Sequence, residues 1–393
     1  MNKLSIKQNN RSSVLSLILS NQSISRKNVA AMLGISPAAV SNLVDELIRD
    51  GLVIEGPAGE SSSRGGRRPI SLKINGDAGR ILSVVIRLQN PQVAVCDLLG
   101  NLIDYRTYPE QEFDNTDQLM KVLFADIAQL VKDAGGSSAF IGAGISVPGI
   151  VEDNMIQNSP ELGLVKSNLA QRLEQIWGFP VYVDKDVYMN ALGENWMGAG
   201  RLYSNFVTVT VGTGIGSAII IDNQVYRGTG GMAGEIGYLC TSRDAFTQGP
   251  FSYTDFGYFE RYASVNILRE SMGMHFHQIA RQAKEGDESL RQKILEQTDQ
   301  LCLGLSSLIS LINPEAVILT GTYKLVSDLV LERIRKNLEY LTPIRCEVTF
   351  SQLGNRMLAY GCVGTVLQKQ YGITFLQHHP EMKEEAKNGR EDG

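Results

Sequence analysis

The chain has 393 residues, of which 43% are hydrophobic and 7% aromatic, and its formal net charge is −5. The length suits two or three domains, and the composition is that of ordinary globular proteins. No run reaches the roughly 18 apolar residues that cross a bilayer, and Met1–Arg11 lacks the apolar core of a signal peptide. We therefore expect a cytoplasmic protein without a membrane segment.

The charge is unevenly distributed along the chain. Residues 1–80 contain 11 Lys and Arg against 6 Asp and Glu, which leaves an acidic remainder. A basic end on an acidic body favours binding of nucleic acid by the first eighty residues. The five cysteines lie far apart without a Cys-x-x-Cys pair, and none of the four histidines lies near one. We expect free thiols and no metal site.

Two short helices come first in the chain. Gln8–Leu19 carries apolar residues at helical spacing. Ser25 is suited to cap a second helix, which ends at Leu33, because its hydroxyl can accept a hydrogen bond from an N–H group of the first turn. Gly34 follows at the position where a helix commonly closes with a residue at positive φ.

A third helix is predicted to extend to about Asp50, with Ser36 as its cap and Pro37 at its first position. Its apolar residues form one stripe at i, i+3, i+4, i+7 and i+8, namely Val40, Leu43, Val44, Leu47 and Ile48. Small residues at the start of the opposite face permit close approach to base edges in the major groove. The residues assigned to DNA in this part are Arg26, Ser36, Ala38, Ala39, Ser41 and Asn42. A three-helix cap without a DNA role is the alternative.

A wing is predicted after the third helix. Leu52–Glu55 and Ile70–Ile74 have the pattern of strands, and the segment between them is rich in Gly and Arg. Its DNA-contacting residues are predicted to be Arg64, Gly65, Gly66, Arg67 and Arg68. Cations on an extended loop suit the narrow minor groove of A·T-rich DNA, whereas a flexible solvated loop is the alternative. We therefore predict a winged helix-turn-helix DNA-binding domain over residues 1–78.

Strands and helices alternate from residue 79 to residue 376. The order of strands followed by a helix occurs twice, which predicts an α/β fold with two similar lobes. A glycine-rich turn follows the predicted strand Phe206–Val211 and contains Gly212, Thr213, Gly214 and Gly216. Such a turn lets backbone N–H groups approach an anion, although hairpins also use glycine. Residues 377–393 are charged and lack an apolar stripe, so we predict a disordered tail.

Several segments of this second region match known motifs. They are Gly144-Ile-Ser-Val-Pro-Gly-Ile-Val, Asn158-Ser-Pro-Glu-Leu-Gly, Gly214-Ile-Gly-Ser-Ala, Ala233-Gly-Glu-Ile-Gly and Ile318-Leu-Thr-Gly. Together they resemble the ROK family (repressors, open reading frames and kinases), and the winged helix adds the arrangement of its xylose-repressor-like branch. The resemblance extends to about residue 372. It implies an actin-like, sugar-kinase fold of two RNase H-like lobes with a cleft between them, assembled into dimers or tetramers.

The resemblance also implies a sugar site, and the first half of that site is partly kept. The family has an Asn-Asp pair that binds sugar hydroxyls, with the Asp as catalytic base. Here the pair is Lys185-Asp186, so the Asp remains and the Asn is lost. A carboxylate accepts hydrogen bonds strongly from hydroxyls, and Lys185 could neutralise it or contact an anionic ligand. Asn158 joins these two residues in the predicted sugar-binding set.

The second half of the implied sugar site is also altered. Glu235 matches the glutamate of the family's Gly-Glu-Ile-Gly-His motif, whose histidine touches sugar and zinc, but Tyr238 stands in the place of that histidine. The family's cysteine cluster is reduced to Cys240, and Glu260 matches the acidic residue that follows the cluster. The resemblance therefore implies sugar contacts by Glu235, Tyr238 and Glu260, without zinc.

The phosphate-binding half of the implied kinase site is damaged. The family's first phosphate loop reads Asp-x-Gly-Gly-Thr, whereas this chain has Val85-Ile-Arg-Leu-Gln-Asn-Pro. It lacks both the Asp that helps to hold Mg²⁺ and the glycines that admit phosphate. We therefore regard Gly212, Thr213, Gly214 and Gly216 as a vestigial phosphate loop. We predict no catalytic residue, no cofactor and no enzymatic activity.

The combined prediction is a DNA-binding transcriptional regulator of carbohydrate-metabolism genes, most simply a repressor. Its partners are expected to be double-stranded operator DNA, A·T-rich and palindromic, and a small carbohydrate effector bound in the cleft. An activator that uses the same contacts stays open. The alternatives are an ATP-dependent sugar kinase with an auxiliary DNA-binding domain, and a scaffold whose cleft binds nothing.

Overall fold

The structure is a computed structural model that describes residues 3–21, 23–58, 70–108, 113, 115–247 and 257–375. The chain divides into two compact units. The first unit comprises the chain up to Trp196 together with the part from Asn355 onward, and the second unit spans Met197–Gly354. The winged helix therefore belongs to the same compact unit as the sheet that follows it, and a domain boundary at residue 78 stays a prediction.

Three helices and a small sheet begin the first unit. In chain order they are α1 (Lys3–Ser20), β1 (Ile24–Ser25), α2 (Arg26–Leu33), α3 (Pro37–Arg49), β2 (Val53–Ala58) and β3 (Ile70–Ile74), and the strands pair antiparallel in the order β1-β3-β2. The predicted caps form, since the Ser25 and Ser36 side chains accept from the N–H groups of Asn28 and Ala39. Four of the five stripe residues of α3 are buried, and Ile48 is partly buried.

The larger sheet of the first unit has five strands. Its elements are β4 (Arg80–Val85), β5 (Gln92–Cys96), β6 (Leu102–Thr107), α4 (Thr116–Asp133), β7 (Phe140–Val147), β8 (Ile150–Glu152), β9 (Met155–Ser159), β10 (Leu164–Ser167), α5 (Leu169–Trp177), β11 (Val181–Lys185) and α6 (Asp186–Met197). The strand order is β11-β7-β4-β5-β6, in which β4, β5 and β6 form an antiparallel meander and β7 and β11 run parallel to β4. Strands β8, β9 and β10 form a separate antiparallel sheet.

The second unit repeats this topology. Its elements are β12 (Phe206–Val211), β13 (Ile215–Ile221), β14 (Gln224–Tyr226), α7 (Tyr258–Ala263), α8 (Val265–Met272), α9 (Phe276–Glu285), α10 (Glu288–Ile312), β15 (Ala316–Thr320), α11 (Ser327–Leu341) and β16 (Glu347–Phe350). The order β14-β13-β12-β15-β16 again contains a meander followed by two parallel strands. The predicted α/β fold with a repeated lobe is thus confirmed.

The last helix, α12 (Met357–Tyr371), returns to the first unit and packs closely on α6 and β7. A Cβ atom at Gly361 would lie 1.9 Å from the Met189 carbonyl oxygen, and one at Gly144 would lie 2.4 Å from that of Cys362. Only glycine permits such a backbone approach. This helix was not predicted, because it is apolar around most of its circumference and interrupted by glycines.

The end of α12 contacts the winged helix. The Ser12 hydroxyl of α1 donates to the Tyr371 carbonyl oxygen at 2.7 Å, and the Thr374 N–H donates to Ser16 Oγ at 3.0 Å. The Phe375 ring stacks on Trp196 of α6, with centroids 5.3 Å apart. One hydrophobic cluster joins the two parts and includes Leu15, Leu52, Ile74, Leu367, Ile373 and Phe375. Within the first unit the DNA-binding part and the larger sheet therefore share a core.

Candidate functional site

The start of α3 presents the small residues that were predicted to contact DNA. Ala38 and Asn42 are exposed, and Ala39 and Ser41 are partly exposed. Ser36 lies at the cap, where its hydroxyl already accepts from the Ala39 N–H. The arrangement leaves short polar and apolar side chains free to approach a base edge. The predicted contacts of Arg64, Gly65, Gly66, Arg67 and Arg68 lie outside the described residues.

Arg26 forms hydrogen bonds and ion pairs with other residues of the chain. Its guanidinium donates to Asp45 Oδ1 at 2.7 Å, to Glu55 Oε1 at 2.9 Å and to the Ser41 carbonyl oxygen at 3.2 Å. It thereby ties α2 to α3 and to β2, which is a positioning role that sequence reasoning did not assign. A direct contact of Arg26 with DNA stays a prediction.

Two further ion pairs connect α1 to α3. Lys7 pairs with Glu46 at 2.7 Å, and Arg11 pairs with Asp50 at 2.7 Å. Together with the pair that Arg26 makes, they place a cation beside each acidic residue of α3. Exposed pairs contribute roughly 0–1 kcal/mol each, so their main effects are to fix the helix and to reduce its repulsion from phosphates.

In the first unit, one edge of the five-stranded sheet collects the predicted sugar contacts. The parallel strands β4, β7 and β11 end there, with Val85 opposite Ser146 and Lys185 opposite Val147. Ligands of open α/β sheets bind outside the carboxyl ends of such strands. Asn158 of β9 pairs with Ile150, just after the turn that follows β7. The structure thus brings Asn158, Lys185 and Asp186 to one edge.

Asp186 is the first residue of α6, where a helix dipole favours a carboxylate. Its Oδ1 accepts from the Val187 N–H at 2.8 Å. Burial raises the pKa of Asp186, while the nearby cations Arg87 and Lys185 oppose that rise. Lys185 is only 2% exposed, and its ammonium lies 4.8 Å from the centroid of the Tyr188 ring. Asp186 is therefore a partly desolvated acceptor with cations beside it.

In the second unit, a carboxylate lies against the glycine-rich turn between β12 and β13. Glu260 Oε1 accepts from the Ile215 N–H at 2.7 Å, and Oε2 accepts from the Gly257 N–H at 3.3 Å. A Cβ atom at Gly214 would lie 2.2 Å from Glu260 Oε1, so only glycine admits this carboxylate. Burial raises the pKa of Glu260, and Glu235 raises it further. Because a carboxylate has about four acceptor sites, Glu260 retains capacity for a ligand hydroxyl.

Glu235 and Tyr238 are placed near Glu260 by a tight segment. Gly234 has a φ of +86°, and a Cβ atom there would lie 2.4 Å from the Ser217 carbonyl oxygen of β13. The short 3₁₀ turn that follows ends at Tyr238. The structure thus groups Glu235, Tyr238 and Glu260 within the second unit, and contact of one ligand with this group and with the Asp186 edge stays a prediction.

The glycine-rich turn itself is closed by its own backbone. The Gly212 N–H donates to the Gly214 carbonyl oxygen at 2.9 Å, and the Gly212 carbonyl accepts from the Val265 N–H at 2.8 Å. Gly216 lies in β13 opposite Thr210, and Thr213 lies at the tip of the turn. With the Glu260 carboxylate on the Ile215 N–H, the turn already carries negative charge, which opposes a phosphate.

Sequence reasoning missed Arg87 and Glu161 of the first unit as functional candidates. Arg87 follows β4, and the Leu88 N–H donates to Glu161 Oε1 at 2.7 Å. Arg87 was noticed only as a departure from a phosphate loop, and nothing in the sequence links Leu88 to a residue 73 positions later. A cation directly after a buried strand was the available signal.

The described residues contain neither a metal-binding cluster nor a membrane-spanning helix. No group of three or more His, Cys, Asp or Glu side chains that could hold a metal ion occurs there. The five cysteines are free, and Cys96, Cys302 and Cys362 are buried. In the same part of the chain, no helix is both long and apolar enough to span a bilayer.

These features define a winged-helix protein built on a duplicated sheet of the sugar-kinase type. The family model for winged helix-turn-helix DNA-binding domains matches residues 8–54, and that of the ROK family matches residues 90–363. The chain belongs to the ROK family.

Similar proteins include regulators and kinases. The chain is 31% identical over 389 residues to the xylose repressor of Caldicellulosiruptor bescii, covering 92% of this chain and 96% of that one. A solved ROK family transcriptional regulator, described as a homologue of the Escherichia coli MLC protein, has the same fold at a TM-score of 0.77 and 21% identity, covering 92% and 96% of the two chains. A ROK family glucokinase from Streptomyces griseus, solved with glucose and AMPPNP, gives a TM-score of 0.61 at 25% identity and covers 73% of this chain and 98% of its own.

Proposed function

We propose that this protein is a sugar-responsive transcriptional repressor that binds operator DNA through α3 and the segment between β2 and β3. The observation that carries the proposal is the surface of α3. Its first turns expose small and polar side chains, while the acidic residues of its second half are each paired with a cation. A helix arranged in this way can enter a major groove without like-charge repulsion.

DNA binding is tested with operator fragments recovered from genomic DNA. Replacing Arg64, Arg67 and Arg68 by Ala is expected to weaken binding to DNA of any sequence, and to reduce the slope of log K against log salt by up to about 3. The matched control replaces three exposed cations of the second unit, Arg291, Lys293 and Lys336. An unchanged salt slope in the first variant excludes the wing from the contact surface.

We propose D-xylose, or a closely related sugar, as the effector. The relative from Caldicellulosiruptor is named a xylose repressor, and grouped carboxylates suit a ligand rich in hydroxyls. D-xylose is expected to lower operator affinity, with L-arabinose and D-glucose as comparison sugars. Asp186→Asn is expected to keep operator affinity within about threefold while weakening the response to D-xylose at least tenfold. A normal response in this variant places the sensing site elsewhere.

An assembly with two reading helices fits this function. Two copies of α3 can meet two half-sites of a palindromic operator, which we expect to be A·T-rich, when the protein is a homodimer or tetramer. Sedimentation with and without operator measures the assembly. A monomer that binds a single half-site with full affinity contradicts this part of the proposal.

The second candidate function is an ATP-dependent sugar kinase, which the fold similarity to the glucokinase favours. Two features oppose it, namely the absence of the family's first phosphate loop and the Glu260 carboxylate on the glycine-rich turn. We propose that phosphoryl transfer is lost. Release of ADP from ATP and Mg²⁺ in the presence of D-xylose, D-glucose or N-acetylglucosamine revives the kinase hypothesis.

A further inference from the structure

Arg87 lies at the same sheet edge as the predicted sugar contacts of the first unit. It follows β4, whereas Asp186 follows β11, and both strands are parallel to the β7 strand between them. The Ile86 N–H continues the pairing by donating to the Ser146 carbonyl oxygen at 2.9 Å. Neighbouring strands lie about 4.8 Å apart, so the two backbones are about 10 Å apart, a gap that an arginine and an aspartate can bridge.

The loop after β4 is closed by groups of the chain itself. The Arg87 Nε donates to the Asn90 carbonyl oxygen at 3.3 Å, which holds the side chain over its own loop. The Leu88 N–H donates to Glu161 Oε1 at 2.7 Å. The backbone donor next to Arg87 is therefore already occupied by a carboxylate.

This loop does not fit the metal ion and nucleotide that a kinase of the family would bind here. Mg²⁺ requires oxygen ligands, and phosphate requires free N–H groups and room beside the backbone. The loop Ile86–Pro91 has no carboxylate of its own and no glycine, and its Leu88 N–H is taken. No phosphoryl step can be derived from these residues.

Cations and carboxylates from several segments meet at this edge of the sheet. Burial raises the pKa of Asp186. Arg87 from the loop after β4 and Lys185 from β11 lower this pKa, and Glu161 from the loop after β9 raises it. Burial lowers the pKa of Arg87, and Asp186, Glu161 and the Tyr105 hydroxyl of β6 raise it. Asp184 of β11, which is buried and accepts from the Lys185 N–H, adds a third carboxylate at this edge.

We propose that Arg87 is a positioning residue of the effector site, whose guanidinium keeps the Asp186 carboxylate charged so that it accepts hydrogen bonds from an uncharged sugar. The inference rests on the proposed sugar-sensing function, since it assigns Asp186 to the effector.

The first test uses no ligand, so it stays decisive if D-xylose is not the effector. Arg87→Gln removes one of the two cations that oppose the burial penalty of the half-buried Asp186 carboxylate, and is expected to lower the unfolding temperature of the full chain by roughly 2–8 °C. Adding Asp186→Asn removes that carboxylate and is expected to recover at least half of the loss. Arg80→Gln, at the other end of β4, is the matched control and is expected to be additive with Asp186→Asn.

The second test measures D-xylose affinity against pH by calorimetry. Binding needs the carboxylate, so affinity falls as pH drops through the pKa of Asp186. Removing Arg87 raises this pKa, because the burial penalty then meets less opposing charge, and the midpoint is expected to move to higher pH by about 1–3 units. Arg87→Lys, which keeps the charge, is expected to restore the midpoint, and Asp186→Asn to abolish it.

The two tests separate the possible failures. If the wild type binds no D-xylose but the Arg87 and Asp186 substitutions are coupled, the effector assignment is wrong and the electrostatic coupling of the two residues stands. If the substitutions are additive, this coupling is overturned whatever the ligand. A loss of affinity in Arg87→Gln that is equal at every pH overturns the positioning role, because a merely structural defect does not move a titration midpoint.

Discussion

The two units carry equivalent hairpins that differ in sequence and agree in one contact. The turn between β4 and β5 contains Arg87 and Pro91 and no glycine, whereas the turn between β12 and β13 keeps glycines at Gly212 and Gly214. In both, a backbone N–H donates at 2.7 Å to a glutamate that is distant in sequence, Glu161 in the first unit and Glu260 in the second. The retained glycine motif therefore does not by itself indicate an open phosphate site.

The difference between the hairpins is one of burial. Glu161 is exposed, whereas Glu260 is partly buried and accepts two backbone N–H groups. A buried N–H donor that loses its acceptor incurs the full desolvation penalty, whereas an exposed donor can form a hydrogen bond with water instead. The same contact should therefore matter more in the second unit.

Removal of the Glu260 carboxylate should have the largest effect. Glu260→Ala leaves the Ile215 and Gly257 N–H groups without this acceptor and is expected to cost about 2–3 kcal/mol of unfolding free energy. Urea unfolding of the full chain measures it, with Glu260→Gln as the control that keeps one acceptor oxygen. A cost below about 0.5 kcal/mol would remove the difference between the two hairpins.

A methyl group in the glycine-rich turn should have an intermediate effect. Gly214 has no left-handed φ, so Gly214→Ala acts only through the 2.2 Å approach of its Cβ to Glu260 Oε1. We expect a loss of about 1–2 kcal/mol from crowding. The loss should nearly vanish in a Glu260→Ala background, measured by the same urea titration. Full additivity of the two substitutions contradicts this steric account.

Removal of the glutamate acceptor should cost the least unfolding free energy in the first-unit hairpin. Glu161→Ala is expected to cost less than about 1 kcal/mol, because water can replace an exposed acceptor on the Leu88 N–H. The matched control is Glu152→Ala, another exposed glutamate of the same unit. An effect of Glu161→Ala as large as that of Glu260→Ala would show that both turns depend equally on their internal carboxylates.

Local signals in the sequence predicted much of the fold. The Ser25 and Ser36 caps, the apolar stripe of α3 and strand β12 depend on neighbours in sequence, and the structure has them. Among the elements that were missed, β6, β8, β9, β10, β16, α7 and α8 are short and α12 is apolar on most sides, whereas α9 and α11 were missed although each has a distinct apolar face. Tertiary packing decides the conformation of the short elements and of α12, where the approach of Met189 explains the presence of Gly361.

The candidate site was less predictable than the fold. Asp186, Glu235 and Glu260 were found through family motifs, which fix residue types at matched positions. The partners of Arg26 were not found, because ion pairs between distant segments leave no periodic trace in a sequence. The structure pairs Arg26 with Asp45 and Glu55, and its contact with DNA stays a prediction.

The contact of α1 with Tyr371–Phe375 has a consequence for biosynthesis. A ribosome delivers the DNA-reading helices first, yet Ile373 and Phe375, which complete the hydrophobic cluster around Leu15 and Ile74, arrive last. A nascent or prematurely terminated chain that ends before them exposes apolar surface on its winged helix-turn-helix part. We therefore expect a chain truncated before Ile373 to fold its first three helices less stably than the full chain.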